Sequence, residues 1–356
     1  MRKLNQLVSW GGGIAPWLVI AGLLYVGLFI KPEPLGSTVI PTAIEGRDRF
    51  YGMAAMDSTL WAVGANGKIV RSEDAGKNWV VQAVPITSHL QDIAAWDSKN
   101  AVVVGNDGVV LYTQDAGVTW QQADAPVNDV VNKLLDVKVF AEGEAWAVGA
   151  FGTILLSHDY GQTWSYAREI EDFILNEITK RADGGLVAVG EFGSILVSDN
   201  QGIDWQVVTA PVESSLMAID FQNDQMGVAA GLEGVLLKTI DGGFNWNRVG
   251  NALAFPKVEA NPGVGVALDG GWRDVTTEHI FSISWHEGLQ RWLAVGTKGL
   301  WLEADPSAQA WQTGRLAPKD LAWHTSIAKV KDGVVLAGKN LGRWSSDYQW
   351  QVFQGR

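Results

Sequence analysis

The chain has 356 residues, of which 47% are apolar and 19% charged, so it can bury a large core and is neither disordered nor fibrous in composition. Its formal net charge of −12 argues against binding to the phosphate backbone of nucleic acids, which requires Lys and Arg. The sequence contains no Cys, which excludes disulfides, thiolate metal sites and Cys nucleophiles, and its five His show no metal-ligand spacing. We therefore expect no cofactor and no metal.

The first predicted element is a membrane anchor. Residues 7–30 contain no charged side chain and are long enough to cross a hydrocarbon core that needs roughly 20 apolar residues. Arg2 and Lys3 precede them, so the positive-inside rule predicts a cytoplasmic N-terminus and an exported body. A cleaved signal peptide is the alternative, but it would have a shorter apolar region and a clearer cleavage site. We predict a single-pass anchor in the inner (plasma) membrane over residues 1–31 and a linker over 32–46, with the rest of the chain in the periplasm or an equivalent lumen.

The rest of the chain consists of repeats that are marked by a short Asp-containing turn. Five copies share the pattern Ser/Thr-x-Asp/Asn-x-Gly-x-x-Trp, and their successive Trp residues are 41 or 44 positions apart. An apolar segment that ends in Gly precedes each copy, so two markers run in phase. The marker residues are Asp74, Gly76 and Trp79; Asp115, Gly117 and Trp120; Asp159, Gly161 and Trp164; Asn200, Gly202 and Trp205; Asp241, Gly243 and Trp246; two degenerate copies pair Asp305 with Trp311 and Asp347 with Trp350.

Each repeat unit is predicted to contain four short strands. In the first copy these are residues 50–56, 60–64, 68–73 and 79–84, which are rich in Val, Ile, Ala and aromatic residues and are separated by Gly, Asn and Asp turns. Four strands in a unit of roughly 40–45 residues are typical of a β-propeller blade. Seven units predict an all-β, seven-bladed β-propeller over residues 47–353 with an N-terminal transmembrane helix; whether residues 39–44 add a closing strand is left open.

The repeated turn has a structural interpretation. Its Asp side chain can accept hydrogen bonds from nearby backbone N–H groups, its Gly supplies a positive φ, and its Trp packs into the blade. This is the Asp box of bacterial neuraminidase-type repeats, and we interpret it as structural rather than catalytic. Five further Trp residues fall in predicted strands and are assigned to the core: Trp61, Trp146, Trp285, Trp292 and Trp323.

The repeats resemble the photosystem II stability/assembly-factor family of propellers. The resemblance is carried by residues 62–72 and 74–79 with their later copies, and it covers residues 48–353. It implies a non-enzymatic scaffold that binds and helps assemble or stabilise an integral membrane protein complex, such as photosystem-type subunits, on the extracytoplasmic side. Related propellers occur in non-photosynthetic bacteria, so an accessory subunit of an RND-type exporter is the alternative. The chain departs from the photosynthetic members in its predicted transmembrane anchor and in having no obvious Arg cluster.

A sialidase-like, carbohydrate-active propeller is a further alternative. Such an enzyme would need a carboxylate-binding Arg triad, a Tyr/Glu nucleophile pair and an acid. However, Tyr160 and Tyr348 fall inside Asp-box turns, and Glu169, Glu171 and Asp172 lie in a charged connection that is typical of a solvated surface. No Gly-rich loop follows a strand and opens a helix, so nucleotide chemistry has no support either. We predict that the protein is not an enzyme.

The predicted partner-binding residues lie on the face opposite the Asp boxes. This face carries the turns between second and third strands and the interblade connections, and variable loops on a rigid scaffold usually carry binding. Three consecutive copies have an apolar residue in this turn, and an insertion of 24 residues (65 − 41) at about 251–274 follows the fifth blade. Exposed apolar groups, Trp and Arg are typical of interfaces, although the insertion could instead pack against the turns as a small core. The predicted set is Phe151, Phe192, Leu232, Phe255, Trp272 and Arg273.

Overall fold

A computed structural model describes residues 19–20, 25, 42–128, 132–252, 272–319 and 321–354. The chain divides into one unit over Met1–Thr42 and a second over Ala43–Arg356. Most of the predicted anchor lies outside the described residues, which here are only Val19, Ile20 and Tyr25. Within the described part of the chain, no helix is long and apolar enough to cross a membrane. The transmembrane anchor therefore stays a prediction.

The second unit contains seven four-stranded antiparallel sheets, each formed by consecutive strands. This confirms the predicted all-β, seven-bladed propeller. A two-stranded ribbon, β21–β22, follows blade 5. The strands are, blade by blade, β1 Phe50–Met56, β2 Thr59–Gly64, β3 Ile69–Ser72, β4 Val80–Gln82; β5 Leu90–Ala95, β6 Ala101–Gly105, β7 Val110–Thr113, β8 Gln121–Gln122; β9 Leu134–Val139, β10 Ala145–Gly149, β11 Ile154–Ser157, β12 Ser165–Tyr166; β13 Leu175–Lys180, β14 Leu186–Gly190, β15 Ser194–Ser198, β16 Gln206–Thr209; β17 Leu216–Phe221, β18 Gly227–Gly231, β19 Leu236–Thr239, β20 Asn247–Arg248; β21 Asn251–Ala252, β22 Trp272–Arg273; β23 Ile280–His286, β24 Arg291–Gly296, β25 Leu300–Ala304, β26 Trp311–Arg315; and β27 His324–Val330, β28 Gly333–Gly338, β29 Gly342–Ser345, β30 Trp350–Val352.

Short 3-10 turns connect the second and third strands in six blades. Each has three residues, and the middle one adopts a positive φ. A seventh 3-10 turn, Ala141–Gly143, joins the first and second strands of blade 3. The six turns between second and third strands are Ala65–Gly67, Asn106–Gly108, Ala150–Gly152, Glu191–Gly193, Leu232–Gly234 and Thr297–Gly299.

The core lies between neighbouring blades rather than inside any one sheet. The second strand of each blade is buried on both sides; all six residues of β2, for example, are buried. One core cluster joins Ala218 and Val228 of blade 5 to Ile280 and Trp292 of blade 6. A strand that is covered on both faces needs a continuous apolar run, which explains why these strands do not alternate polar and apolar residues.

Four of the five Trp residues assigned to the core are buried there, namely Trp61, Trp146, Trp285 and Trp292. The assignment of Trp323 is wrong, because this residue precedes β27 and is only half-buried. Its ring stacks on Tyr51 with a centroid distance of 5.9 Å and an interplanar angle of 10°. Trp323 therefore lies at the junction of blades 7 and 1.

The ring closes at that junction without a strand from residues 42–44, the described part of the segment considered above. Blade 7 takes all four strands from the C-terminal region. The Thr325 hydroxyl donates to the Tyr51 carbonyl oxygen at 2.9 Å, and the Met53 N–H donates to Ser326 Oγ at 3.2 Å. Together with the shared apolar cluster of blades 1 and 7, these bonds join the two ends of the propeller.

The Asp boxes form the turns between third and fourth strands. In the first box, the Asn78 N–H donates to Asp74 Oδ1 at 2.8 Å, the Gly76 N–H donates to Ser72 Oγ at 2.9 Å, and the buried Trp79 Nε1–H donates to the Gly76 carbonyl oxygen at 3.0 Å. The bonds from Asn78 lower the pKa of Asp74 from 3.8 to about 2. Because the carboxylate is occupied by its own turn, this geometry agrees with the structural interpretation.

Candidate partner-binding face

The two ends of the propeller differ in character. Because neighbouring strands run antiparallel, the Asp boxes lie at one end, and the turns between second and third strands lie at the other with the interblade connections. We refer to these ends as the Asp-box face and the turn face. Five of the six predicted partner-binding residues belong to described segments of the turn face, namely Phe151, Phe192, Leu232, Trp272 and Arg273.

Phe151 and Phe192 occupy the middle position of their turns, with φ values of 57° and 55°. This left-handed region is unfavourable for a bulky side chain. Phe192 is 76% exposed, whereas Phe151 is half-buried. Leu232 is the first residue of its turn, so the equivalent middle position belongs to the exposed Glu233, and Leu232 is half-buried. The apolar tips therefore number two in these three turns, not three.

The insertion after blade 5 is described only at its two ends. Asn251 pairs with Arg273 and Ala252 pairs with Trp272, so the backbone enters and leaves the insertion through an antiparallel ribbon. Phe255 lies outside the described residues. The backbone positions of Trp272 and Arg273 bring both residues to the connection between blades 5 and 6, and their contribution to binding stays a prediction.

The turns and connections from blade 3 to blade 5 form one contiguous surface, the turn-face patch, which comprises residues 150–152, 167–174, 190–193, 210–215 and 231–234. The Glu171 N–H donates to the Phe151 carbonyl oxygen at 2.9 Å. The Ile174 N–H donates to Glu191 Oε1 at 3.1 Å, which fixes the next turn against the same connection. These bonds hold the Phe151 and Phe192 turns in a defined relation to one another.

The hydrogen bonds that join the turns and connections of the patch continue into blade 5. The Leu232 N–H donates to the Ser215 carbonyl oxygen at 3.0 Å, and the Ser214 hydroxyl donates to Glu233 Oε2 at 3.1 Å. A Cβ atom on Gly193 would lie only 2.2 Å from the Val212 carbonyl oxygen, so this turn tolerates only Gly there. Close packing of loops onto each other makes the patch a preformed surface.

Sequence reasoning missed one exposed apolar residue of this patch. Ile170 is 45% exposed in the connection between blades 3 and 4. Next to it, the Arg168 guanidinium lies 5.6 Å from the centroid of the Phe173 ring and pairs with Glu171 at 2.8 Å. The signal was present, because an Ile and a Phe interrupt the charged run over residues 168–173.

The inner strands surround a central channel of about 520 Å³. Its turn-face end is lined by the second residue of each inner strand, and four of these side chains are half-exposed and apolar: Tyr51, Leu135, Met217 and Phe281. Single-sequence reasoning did not find this ring, since its members are separated by whole blades. It continues the apolar character of the turn face towards the channel.

Acidic side chains link neighbouring blades along the channel wall. Each accepts a hydrogen bond from a backbone N–H of the next inner strand, so one carboxylate connects two blades. The pairs are Asp92 with Val137 N–H at 3.2 Å, Asp136 with Ile178 N–H at 3.1 Å, Glu177 with Ile219 N–H at 2.8 Å, and Asp220 with Trp285 N–H at 2.9 Å.

Lys138 neutralises part of this acidic layer. Its ammonium donates to Asp136 Oδ1 and Glu177 Oε1, both at 2.7 Å. Burial opposes the charge of Lys138, but Asp136 and Glu177 outweigh it and raise its pKa. Burial within the wall raises the pKa of Glu177 from 4.5 to about 7, and burial together with Asp136 raises that of Asp92. The layer thus links blades 2 to 6 through bonds from carboxylates to backbone N–H groups.

Tyr348, Glu303 and Arg291 form a hydrogen-bonded cluster between blades 6 and 7. The Tyr348 hydroxyl donates to Glu303 Oε1 at 2.6 Å, and Arg291 Nη1 donates to Glu303 Oε2 at 3.2 Å. The bond to Glu303 raises the pKa of Tyr348 above its usual value. In the described ranges, no group of three or more His, Cys, Asp or Glu could hold a metal ion.

Comparisons with known proteins agree with the fold and with the family resemblance. Residues 77–173 match the profile of the family described as photosynthesis system II assembly factor YCF48. Its match runs from the end of the first Asp box to the connection after blade 3. No curated protein matches the chain. The resemblance to photosystem II assembly-factor propellers is therefore confirmed over this stretch.

Solved structures show the same architecture at low sequence identity. A structure of YCF48 bound to a D1 peptide has a TM-score of 0.63 at 17% identity, covering 84% of this chain and 91% of that chain. YCF48 from Cyanidioschyzon merolae has a TM-score of 0.62 at 15% identity, covering 84% and 94%. An ancestral GH74 enzyme has a TM-score of 0.53 at 17% identity, covering 74% of this chain and 37% of that chain. At such identities the likeness establishes the fold and not the activity.

Proposed function

We propose that the protein is a non-enzymatic, photosystem II assembly-factor-like scaffold that binds an integral membrane protein complex through its turn-face patch. The observation that carries this proposal is Phe192, a bulky side chain held at a positive φ and 76% exposed. Backbone strain that brings an apolar ring into solvent has no benefit for folding, and such strain is concentrated at functional sites. Ile170 supplies a second exposed apolar group on the same patch.

The comparisons support this proposal at a coarser level. The YCF48 propellers are assembly factors by name, and one of them is bound to a D1 peptide, so the same architecture can bind a peptide segment of a partner. A distant likeness to a GH74 enzyme makes the glycosidase alternative worth one direct assay.

We further propose that the propeller is tethered to the inner (plasma) membrane by residues 7–30 and lies in the periplasm or an equivalent lumen. The support is the uncharged segment itself and the positive charges of Arg2 and Lys3 before it. Tethering would raise the local concentration of the propeller near membrane partners and would compensate for a weak individual contact.

Crosslinking and affinity purification of the full chain from membranes, followed by mass spectrometry, tests the proposal. Phe192→Asn should abolish recovery of the partner, since it removes the exposed ring. Ile203→Asn is the matched control, because Ile203 is 78% exposed in blade 4 but lies in the Asp-box turn on the opposite face. Equal recovery with both variants would reject the turn-face patch as the binding site.

The same experiment separates the candidate roles. Substoichiometric recovery with unassembled subunits supports an assembly factor, whereas stoichiometric recovery with one transporter supports an accessory subunit of an RND-type exporter. Turnover of a sialoside or a β-glucan by the purified propeller would contradict the non-enzymatic assignment.

A further inference from the structure

Resting on the proposed function, we infer that the segment recognised by the turn-face patch is basic: an extended stretch of Lys or Arg around a large apolar side chain. The arrangement of charge and apolar surface over the patch and over the rest of the turn face supports this chemistry.

The patch carries six acidic residues and one basic residue. The acidic residues are Glu169, Glu171, Asp172, Glu191, Glu213 and Glu233, and the basic one is Arg168. Arg168 is already paired with Glu171 at 2.8 Å, so it does not neutralise the other acids. Glu191 is directed inwards to the Ile174 N–H. The remaining acids are exposed and face solvent.

These acids surround the exposed apolar groups. Ile170 lies between Glu169 and Glu171 in one connection. Glu213 belongs to the connection that packs against the Phe192 turn, and Glu233 belongs to the next turn, which bonds to the same connection. A Lys or Arg side chain has an apolar stem and a charged head, so it can cover an apolar ring and still reach a carboxylate. A purely apolar segment would leave the acids without partners, and an acidic segment would meet like charge.

The acidity is local and does not simply follow from the net charge of −12. On the other side of the turn face, the turn of blade 6, the connection before blade 7 and the turn of blade 7 present the exposed Lys298, Lys319 and Lys339. Lys298 is paired with Glu278 at 3.4 Å, whereas Lys319 and Lys339 add positive charge. The turn face is therefore acidic over blades 3–5 but not over blades 6–7. Such polarity sets the orientation in which a charged partner approaches.

The same charges favour a protein partner over other macromolecules. Nucleic acids and anionic lipid surfaces both carry negative charge and would be repelled by the patch. A basic protein segment is attracted to it, and the two exposed apolar side chains supply the burial that stabilises the complex beyond Coulomb attraction.

The test uses the full chain and two synthetic peptides of about twelve residues with identical Phe and Leu positions, one with Lys and the other with Glu at the charged positions. Binding is followed by fluorescence anisotropy. The Lys peptide should bind at least about tenfold more tightly than the Glu peptide, and its affinity should fall as NaCl rises from about 50 to about 500 mM.

Glu233→Lys provides the specific variant and Glu142→Lys its matched control. Both residues are the exposed middle residue of a three-residue 3-10 turn, with φ values of 58° and 60°, but Glu142 lies on the Asp-box face. Glu233→Lys should weaken the Lys peptide by about three- to tenfold, a change typical of one charge at an interface, and Glu142→Lys should leave it unchanged. Equal effects of the two variants, or no preference between the peptides, would overturn the inference.

Its failure can be told apart from failure of the proposed function. If Phe192→Asn abolishes recovery of the membrane partner but Glu233→Lys does not weaken it, the patch binds a partner that is not basic, and only the inference is refuted. If neither variant affects recovery while the Ile203→Asn control behaves like the unmodified chain, the patch is not the site and the proposed function fails with it.

Discussion

Replacing Phe192 with Asn should make the propeller more stable and, at the same time, remove its binding activity. Phe192 lies at a φ of 55°, and Asn66 of blade 1 occupies the equivalent position with a φ of 59°. Asn tolerates this conformation because its short polar side chain can form local hydrogen bonds. The substitution therefore removes strain without introducing a residue that the fold does not already use.

Two opposing contributions determine the change in the free energy of unfolding. The left-handed conformation costs roughly 1–2 kcal/mol for an ordinary side chain, and Asn avoids much of this cost. Phe192 is 76% exposed, so about a quarter of its surface is buried; since full burial of a Phe contributes about 1.5–3 kcal/mol, the lost burial is about 0.5 kcal/mol. We expect a net gain of about 0.5–1 kcal/mol in the free energy of unfolding.

Urea unfolding followed by Trp fluorescence measures this difference as a shift of the midpoint at constant slope. Phe151→Asn is the control: its φ is 57°, but the ring is half-buried, so the gain should be smaller or reversed. If Phe192→Asn lowers stability by about 1 kcal/mol or more, the ring packs on the scaffold, and the argument from strain to function fails.

Three further predictions concern the scaffold. Folding raises the pKa of Glu177 from 4.5 to about 7, so the contribution of Glu177 to stability is present below pH 4.5 and is lost as the pH rises through 7. The melting temperature should therefore fall between about pH 5 and pH 8, and it should fall less in Glu177→Gln. Asp241→Ala should destabilise by about 0.5–1.5 kcal/mol, because it removes the acceptor of two exposed Asn245 donors, whereas Asp241→Asn should be milder, and equal urea midpoints would refute this. Ser326→Ala removes the acceptor of the Met53 N–H and should lower stability by about 1 kcal/mol by calorimetry if that bond helps to close the ring; an unchanged melting temperature would contradict the role.

The parts of the fold that sequence could predict are those whose contacts are local. An Asp box is complete within eight residues: Ser72, Asp74, Gly76, Asn78 and Trp79 bond to one another and to little else. Seven repeats then predict the blade count, because each unit forms its own four-stranded sheet. The period of the repeat was sufficient to predict the number of blades.

The channel could not be predicted in this way, because it depends on contacts between blades. Asp92 accepts a bond from the Val137 N–H, 45 residues away, and an isolated Asp in a strand carries no sign of such a partner. Trp323 was assigned to a strand for the same reason: an aromatic residue next to an apolar run resembles a core position until the neighbouring Tyr51 ring is known. The predicted position of Leu232 at the tip of its turn is wrong by one residue, since no sequence marker fixes the alignment of these turns.

The repeated turn offers an internal comparison that bears on function. In six blades the middle residue of the turn between second and third strands has a φ between 54° and 59°, although five different residue types occupy the position: Asn66, Asp107, Phe151, Phe192, Glu233 and Lys298. The scaffold therefore imposes the backbone conformation whatever the residue. Asn or Asp satisfies it at least strain, as blades 1 and 2 do, so the fold alone does not call for Phe in blades 3 and 4 or for Glu in blade 5. A partner bound to the turn-face patch would account for the exposed Phe192 and Glu233, which supports the proposal made for that patch.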